Sequence, residues 1–133
     1  MIRTFTAILY AAAVTTSAAW ACAGPDPAIA QVRVENVQSN GGQNTYHIVG
    51  TVTNEGSAGQ PANTVQFVDV YVDNVKKDSL SIPPLHIAQY HTFRYKWSRS
   101  ADAGKGTTTV RFEMNMVHGK DCDPANGVNS VTF

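Results

Sequence analysis

Four histidines, His47, His86, His91 and His118, are the first residues to test for chemistry. No two stand at i, i+2 or in an HxxxH spacing. His86 and His91 are an odd number apart, so on a regular strand they face opposite sides. A transition-metal site would have to be assembled across strands, and exposed strand histidines are the simpler expectation. The one concentrated acidic run is Asp121, Asp123, Asn126 and Asn129. Oxygen ligands close in sequence can hold Ca²⁺, but such a site wants about six oxygens and this run offers fewer, interrupted by Cys122 and Pro124. The run reads as a solvated turn of Asx side chains bonded to nearby backbone, with a weak Ca²⁺ site at Asp121, Asp123 and Asn126 as the alternative. Two cysteines, Cys22 and Cys122, are too few for a thiolate zinc site. Only Lys120 stands near Cys122 to lower its pKa, so a reactive thiol is not expected. There is no Gly-x-Ser-x-Gly elbow. Gly104-Lys105-Gly106-Thr107 leads into a strand and not a helix, so it is no phosphate loop. No catalytic residue and no cofactor is expected, and the chain does not read as an enzyme.

The composition sets the class. In 133 residues, ten Lys+Arg balance ten Asp+Glu, hydrophobic residues make up 43% and charged residues 15%. That suits one domain with a core and is too apolar for a disordered chain. Charge balance argues against a nucleic-acid partner. No apolar run in the mature part is long enough to span a bilayer. The first residues read as an export signal: Arg3, then the apolar stretch Phe5 to Val14, then Thr15-Thr16-Ser17-Ala18-Ala19. We place the cut after Ala19, because a cut after Ala23 would discard Cys22 and leave Cys122 unpaired in an exported protein. Lipidation of Cys22 fits less well, with Trp20 beside it. Residues 20–30, with Pro25 and Pro27, form an extended lead-in, and 31–133 the domain. The expected location is periplasmic or extracellular.

Elements to position these residues come from alternation of period two. It predicts strands over residues 30–37, 45–53, 65–73, 77–82, 87–97, 107–117 and 128–133. Tyr46, Ile48, Gly50 and Val52 share a face. So do Val68, Val70 and Val72, with Phe67, Asp69 and Tyr71 opposite. Phe93, Tyr95 and Trp97 form a third set, and Val110, Phe112, Met114 and Met116 a fourth. Seven short strands with no helical period predict an all-β fold, a seven-stranded immunoglobulin-like antiparallel β-sandwich, with a barrel as the alternative. If the valines of the third strand are core, Phe67 and Tyr71 stand outside, with Arg111 beside them, as a candidate binding face.

Gly50-Thr51-Val52-Thr53-Asn54-Glu55-Gly56-Ser57-Ala58 resembles the V-x-N-x-G-x-A signature of the CARDB family, the cell-adhesion-related domain found in bacteria. Phe67 to Asp73 resembles its next strand, and Phe93 to Trp97 its aromatic strand ending in Trp. The likeness covers about Gln31 to Phe133. Two departures stand out: Ala88-Gln89 where the family has Gly, and a last loop without Glu or Asn-Asn. The resemblance implies an immunoglobulin-like sandwich and a non-catalytic module. Asn54 and Gly56 are expected to shape a tight strand exit, Gly56 by taking positive φ, and Trp97 is expected in the core. In such a sandwich the first and last strands are neighbours, which brings Cys22 and Cys122 to one end and implies a disulfide between them. The expected function is a small exported binding or adhesion module with a protein or glycan partner at the cell surface. The alternative is a self-assembling structural surface subunit.

Overall fold

The computed structural model describes residues 22–102 and 106–133; the expected signal segment, 1–19, lies outside the described residues. Seven strands follow in order: β1 Pro27–Asn40, β2 Gln43–Asn54, β3 Val65–Val72, β4 Val75–Ile82, β5 Tyr90–Ser100, β6 Thr109–His118 and β7 Val128–Thr132. They form two antiparallel sheets, β1-β2-β5 and β4-β3-β6-β7. Tight two-residue turns join β1 to β2 and β3 to β4. Gly41 and Gly42 hold φ of +59° and +79°, and Asp73 and Asn74 hold +46° and +66°. Both turns have the two left-handed residues that a hairpin of native twist requires.

Alternation sorts the side chains as pleat geometry dictates. Val52, Val68, Val70, Val110 and Phe112 are fully buried, and Ile48, Val72 and Phe93 nearly so. Phe93 of one sheet meets Phe112 of the other with ring centroids 5.0 Å apart, and Tyr95 meets Phe112 edge-on at 6.3 Å. Burying each such side chain contributes on the order of 1.5–3 kcal/mol. Tyr46 stacks on Phe133 at 3.8 Å, closing one end of the core.

Some expectations move. β1 starts at Pro27, inside the expected lead-in, and runs to Asn40 with register shifts between Ala30 and Arg33 and between Val34 and Asn36. It is an edge strand, where a proline costs no ladder bond. Trp97 is half-buried at the rim and not in the core centre, because Phe93 and Phe112 already fill the middle. Its ring instead lies under the Lys77 ammonium at 5.9 Å. Met114 packs on the core, whereas Met116 lies past its end beside Thr64 and Gly119.

β5 begins at Tyr90 and not at residue 87, because the preceding segment is tied into a loop. Ala88 donates to the Asn54 carbonyl and holds φ of +61°. Ala88 belongs to the Ala88-Gln89 pair that stands where the CARDB pattern has Gly, and a left-handed backbone here favours glycine. An alanine there carries strain of about 1–2 kcal/mol. Ala88→Gly is therefore expected to raise stability by about 1 kcal/mol, read as a higher urea midpoint. An unchanged or lower midpoint would contradict the strain.

Candidate functional site

Two regions collect the residues of interest. The first is the outer face of β4-β3-β6-β7. With Val68, Val70 and Val72 in the core, Phe67 and Tyr71 stand on the opposite face and are partly buried. Tyr71 pairs with Arg111 across the β3–β6 ladder, and the guanidinium lies 4.6 Å from the ring centroid. Arg111 also donates to Glu113 at 2.7 Å and to Asn74 at 2.6 Å. Between the two aromatics Asp69 is buried, taking hydrogen bonds from Ser79 and Asn115 and an ion pair from Lys76 at 3.4 Å. The face is thus two aromatic surfaces braced by a polar lattice. Such a lattice limits the side-chain entropy lost on contact with a partner.

The second region is one end of the sandwich. Asn54, the signature residue, is 1% exposed. Its Oδ1 accepts from the Asp26 and Gly56 amides, both at 3.0 Å, and its Nδ2 donates to the Ala58 and Leu85 carbonyls at 2.9 and 3.1 Å. Gly56 does not take the expected positive φ. It is glycine for another reason: a Cβ would collide with the backbone of Gly24, Pro25 and Asp26. The lead-in is thereby laid against the β2–β3 loop.

That placement brings Cys22 to Cys122. They form a disulfide, with Cα atoms 5.6 Å apart and a sequence separation of 100. β1 and β7 lie at the edges of opposite sheets and do not share a ladder; the contact is made across the sandwich edge, where Asn129 reaches the Ile29 carbonyl at 3.4 Å. Asp26 is brought along and is 5% exposed. Its Oδ2 accepts from Asn126 at 2.8 Å. Asp121 lies beside it: partial burial pushes the Asp121 carboxyl up to about 6, opposed by the Asp123 amide and reinforced by the Asp26 charge. Of the expected oxygen ligands, the fold brings Asp121 and Asn126 to Asp26 but leaves Asp123 exposed, and the Asn129 Oδ1 accepts from the Ser130 amide. Asp26 was missed by the sequence reading. The signal was present, since Asp26 stands four residues after the cysteine that pairs beside Asp121.

Among the described residues the histidines do not join any cluster of metal-ligating groups. A further surface was not foreseen. The bulged β1 leaves a groove of about 400 Å³ on the outer face of β1-β2-β5, lined by Arg33, Thr51, Thr53, Tyr90, Thr92 and Arg94.

Loss of the cross-link is expected to matter, because it closes a long loop. A Cys22→Ser, Cys122→Ser variant should lose about 2–4 kcal/mol in denaturant unfolding. An unchanged stability would mean that the tether does not constrain the unfolded chain. The Asp121 shift gives a signed pH dependence. Its folded value lies above the usual carboxylate value, so between about pH 4 and 6 the native state binds more protons, and this contribution falls as pH rises through that window. In chelator, Asp121→Asn should melt no lower than wild type at pH 7, and the difference between the two should shrink towards pH 4. A variant melting well below wild type at pH 7 would reverse the sign.

No protein-family model and no curated protein matches the chain. Among solved structures it is similar to the CARDB domain of a Pyrococcus furiosus protein in complex with di-metal ions, with a TM-score of 0.62 and 14% identity over 81% of this chain and 90% of that one. A protein from Archaeoglobus fulgidus aligns at a TM-score of 0.34 and 12% identity, over 79% of this chain and 95% of that one, too loose a superposition to bear on the fold. The chain therefore has the fold of a CARDB domain, an immunoglobulin-like β-sandwich, as its strand pattern and its Asn54 loop implied.

Proposed function

We propose that this chain is an exported, non-catalytic binding module of the cell surface or periplasm, engaging a protein or glycan through the outer face of β4-β3-β6-β7. The observation that carries the reading is the Phe67, Tyr71 and Arg111 group. Aromatic and arginine side chains dominate interface energetics, and here both aromatics are held outward by valines that fill the core. The CARDB-like fold supports an adhesion-related role by analogy of fold alone. The disulfide supports export, because such bonds persist in oxidising compartments. Among the described residues no helix is long and apolar enough to cross a membrane.

The self-assembling alternative is opposed by the sheet edges. β4 carries Lys76, Lys77 and Asp78, β5 carries Arg94 and Lys96, β1 is bulged, and β7 is five residues long. Charged, bulged and short edges discourage strand addition.

The test is binding of fluorescently labelled mature protein to intact bacterial cells. Phe67→Ala, Tyr71→Ala is expected to weaken binding at least ~10-fold, in line with loss of two hot-spot side chains, while still folding. Tyr90→Ala, on the other sheet, should bind as wild type. Full binding by the folded double variant, or no binding by wild type, would defeat the reading. Size-exclusion chromatography should give a single monomeric species, and larger assemblies would favour the structural-subunit alternative.

A further inference from the structure

The disulfide-linked end of the sandwich contains an acceptor-rich site that lies apart from the proposed binding face. Asp26 is 95% buried, and among the described residues it makes no ion pair. Its Oδ2 is taken by the Asn126 amide, but its Oδ1 is buried and accepts no hydrogen bond. The Asn126 Oδ1 is also buried and also unpartnered. Asp121 stands beside Asp26. Two buried oxygens, Asp26 Oδ1 and Asn126 Oδ1, thus lack a donor on side chains that are bonded to each other, and the Asp121 carboxyl adjoins Asp26. An acceptor left in that state costs about 1–3 kcal/mol, and more when charged.

Two occupants could relieve this. A proton held between Asp26 and Asp121 would answer the two acids, but it leaves the Asn126 carbonyl oxygen unanswered. A cation would answer both acids, with the Asn126 side chain, already bonded to Asp26, as the adjoining oxygen donor. We infer that Asp26, Asp121 and Asn126 form a site for a hard divalent cation of the Ca²⁺ class, between the lead-in and the β6–β7 loop.

The chemistry of the donors selects the class. The Cys22 and Cys122 sulfurs lie within 4.8 Å of the Asp26 carboxylate, but they are bonded to each other and offer no thiolate. What is left is carboxylate and amide oxygen, which suits Ca²⁺ or Mg²⁺ over the softer transition metals. Mg²⁺ demands near-ideal octahedral geometry and gives up its waters reluctantly; donors from two separate segments fit the more permissive Ca²⁺ better. Three protein side chains leave much of the coordination shell to water. The affinity expected is that of weak extracellular modules, Kd about 10⁻⁴–10⁻³ M. The disulfide acts as a clamp that holds Asp26 against Asp121 and Asn126 whether or not the ion is bound. The ion would add a second, reversible link between the same two segments.

The experiment uses the mature oxidised protein, freed of metal with chelator at pH 7. Titration with CaCl₂, followed by calorimetry and by melting temperature, should give saturable binding in that range. The rise in melting temperature should be about 5 °C or more at 10 mM. NaCl of matched ionic strength should give no comparable rise, and MgCl₂ a smaller one. Asp121→Asn should fold and lose at least ten-fold in Ca²⁺ affinity. Asp26→Asn should lose the response wholly, and if it fails to fold, Asp121→Asn and Asn126→Ala decide. A response matched by NaCl, a wild type stabilised by acid but not by Ca²⁺, or variants at 121 and 126 that keep the full response would each overturn the site.

Discussion

The Asn54 side chain is almost wholly enclosed, and both ends of its amide are fully used. It takes two backbone amides, from Asp26 and Gly56, and gives two protons to carbonyls, of Ala58 and Leu85. Those four groups belong to the lead-in, the β2–β3 loop and the β4–β5 loop. Loops that meet inside a protein bring backbone groups with no ladder to join, and each would cost about 1–3 kcal/mol if buried unpaired. One primary amide answers four of them. A second buried pair extends the arrangement: Gln60 and Gln66 exchange two 2.7 Å hydrogen bonds, and Gln60 also accepts from the Leu85 amide at 2.9 Å. The end of the sandwich is therefore a polar lattice with few degrees of freedom.

Several features follow from that lattice. Gly56 permits the lead-in backbone to pass where a Cβ would block it. With the lead-in fixed, β1 begins at Pro27, Cys22 reaches Cys122, and Asp26 is pressed against the β6–β7 loop. In the same lattice the Asn54 backbone carbonyl accepts the Ala88 amide, the bond that holds Ala88 in a left-handed backbone. The apolar core imposes none of this. It is a layer of valines, isoleucines and two central phenylalanines that many sandwiches could share. The individual character of this molecule lies in its buried amides, its outer sheet face and its acidic end.

Period-two alternation made much of the architecture legible. Val68, Val70 and Val72 against Phe67, Asp69 and Tyr71 is a pattern that only a half-buried strand explains, and the sheet face follows from it directly. The strand ends were less legible, because they depend on hydrogen bonds made to other loops. Ile87 and Ala88 have the composition of a strand but are held in a turn. Trp97 has the right parity for the core, yet parity says nothing about distance from the centre, and the middle is occupied by Phe93 and Phe112. The β1 bulges shifted the pleat twice and left a groove that no alternation could foretell.

Local pattern thus determined the class, the pairing faces and the turns, because pleat geometry and left-handed turn residues act over a few residues. Tertiary structure alone decided which distant groups became neighbours. Asp26 and Asn126 are 100 residues apart, and nothing in the chemistry of either names the other. They meet because Asn54 and Gly56 settle the path of the lead-in and a disulfide closes the remaining gap. The placement of charge at that end is a property of chain path, set by long-range backbone hydrogen bonding, and so it lies beyond what residue spacing can express.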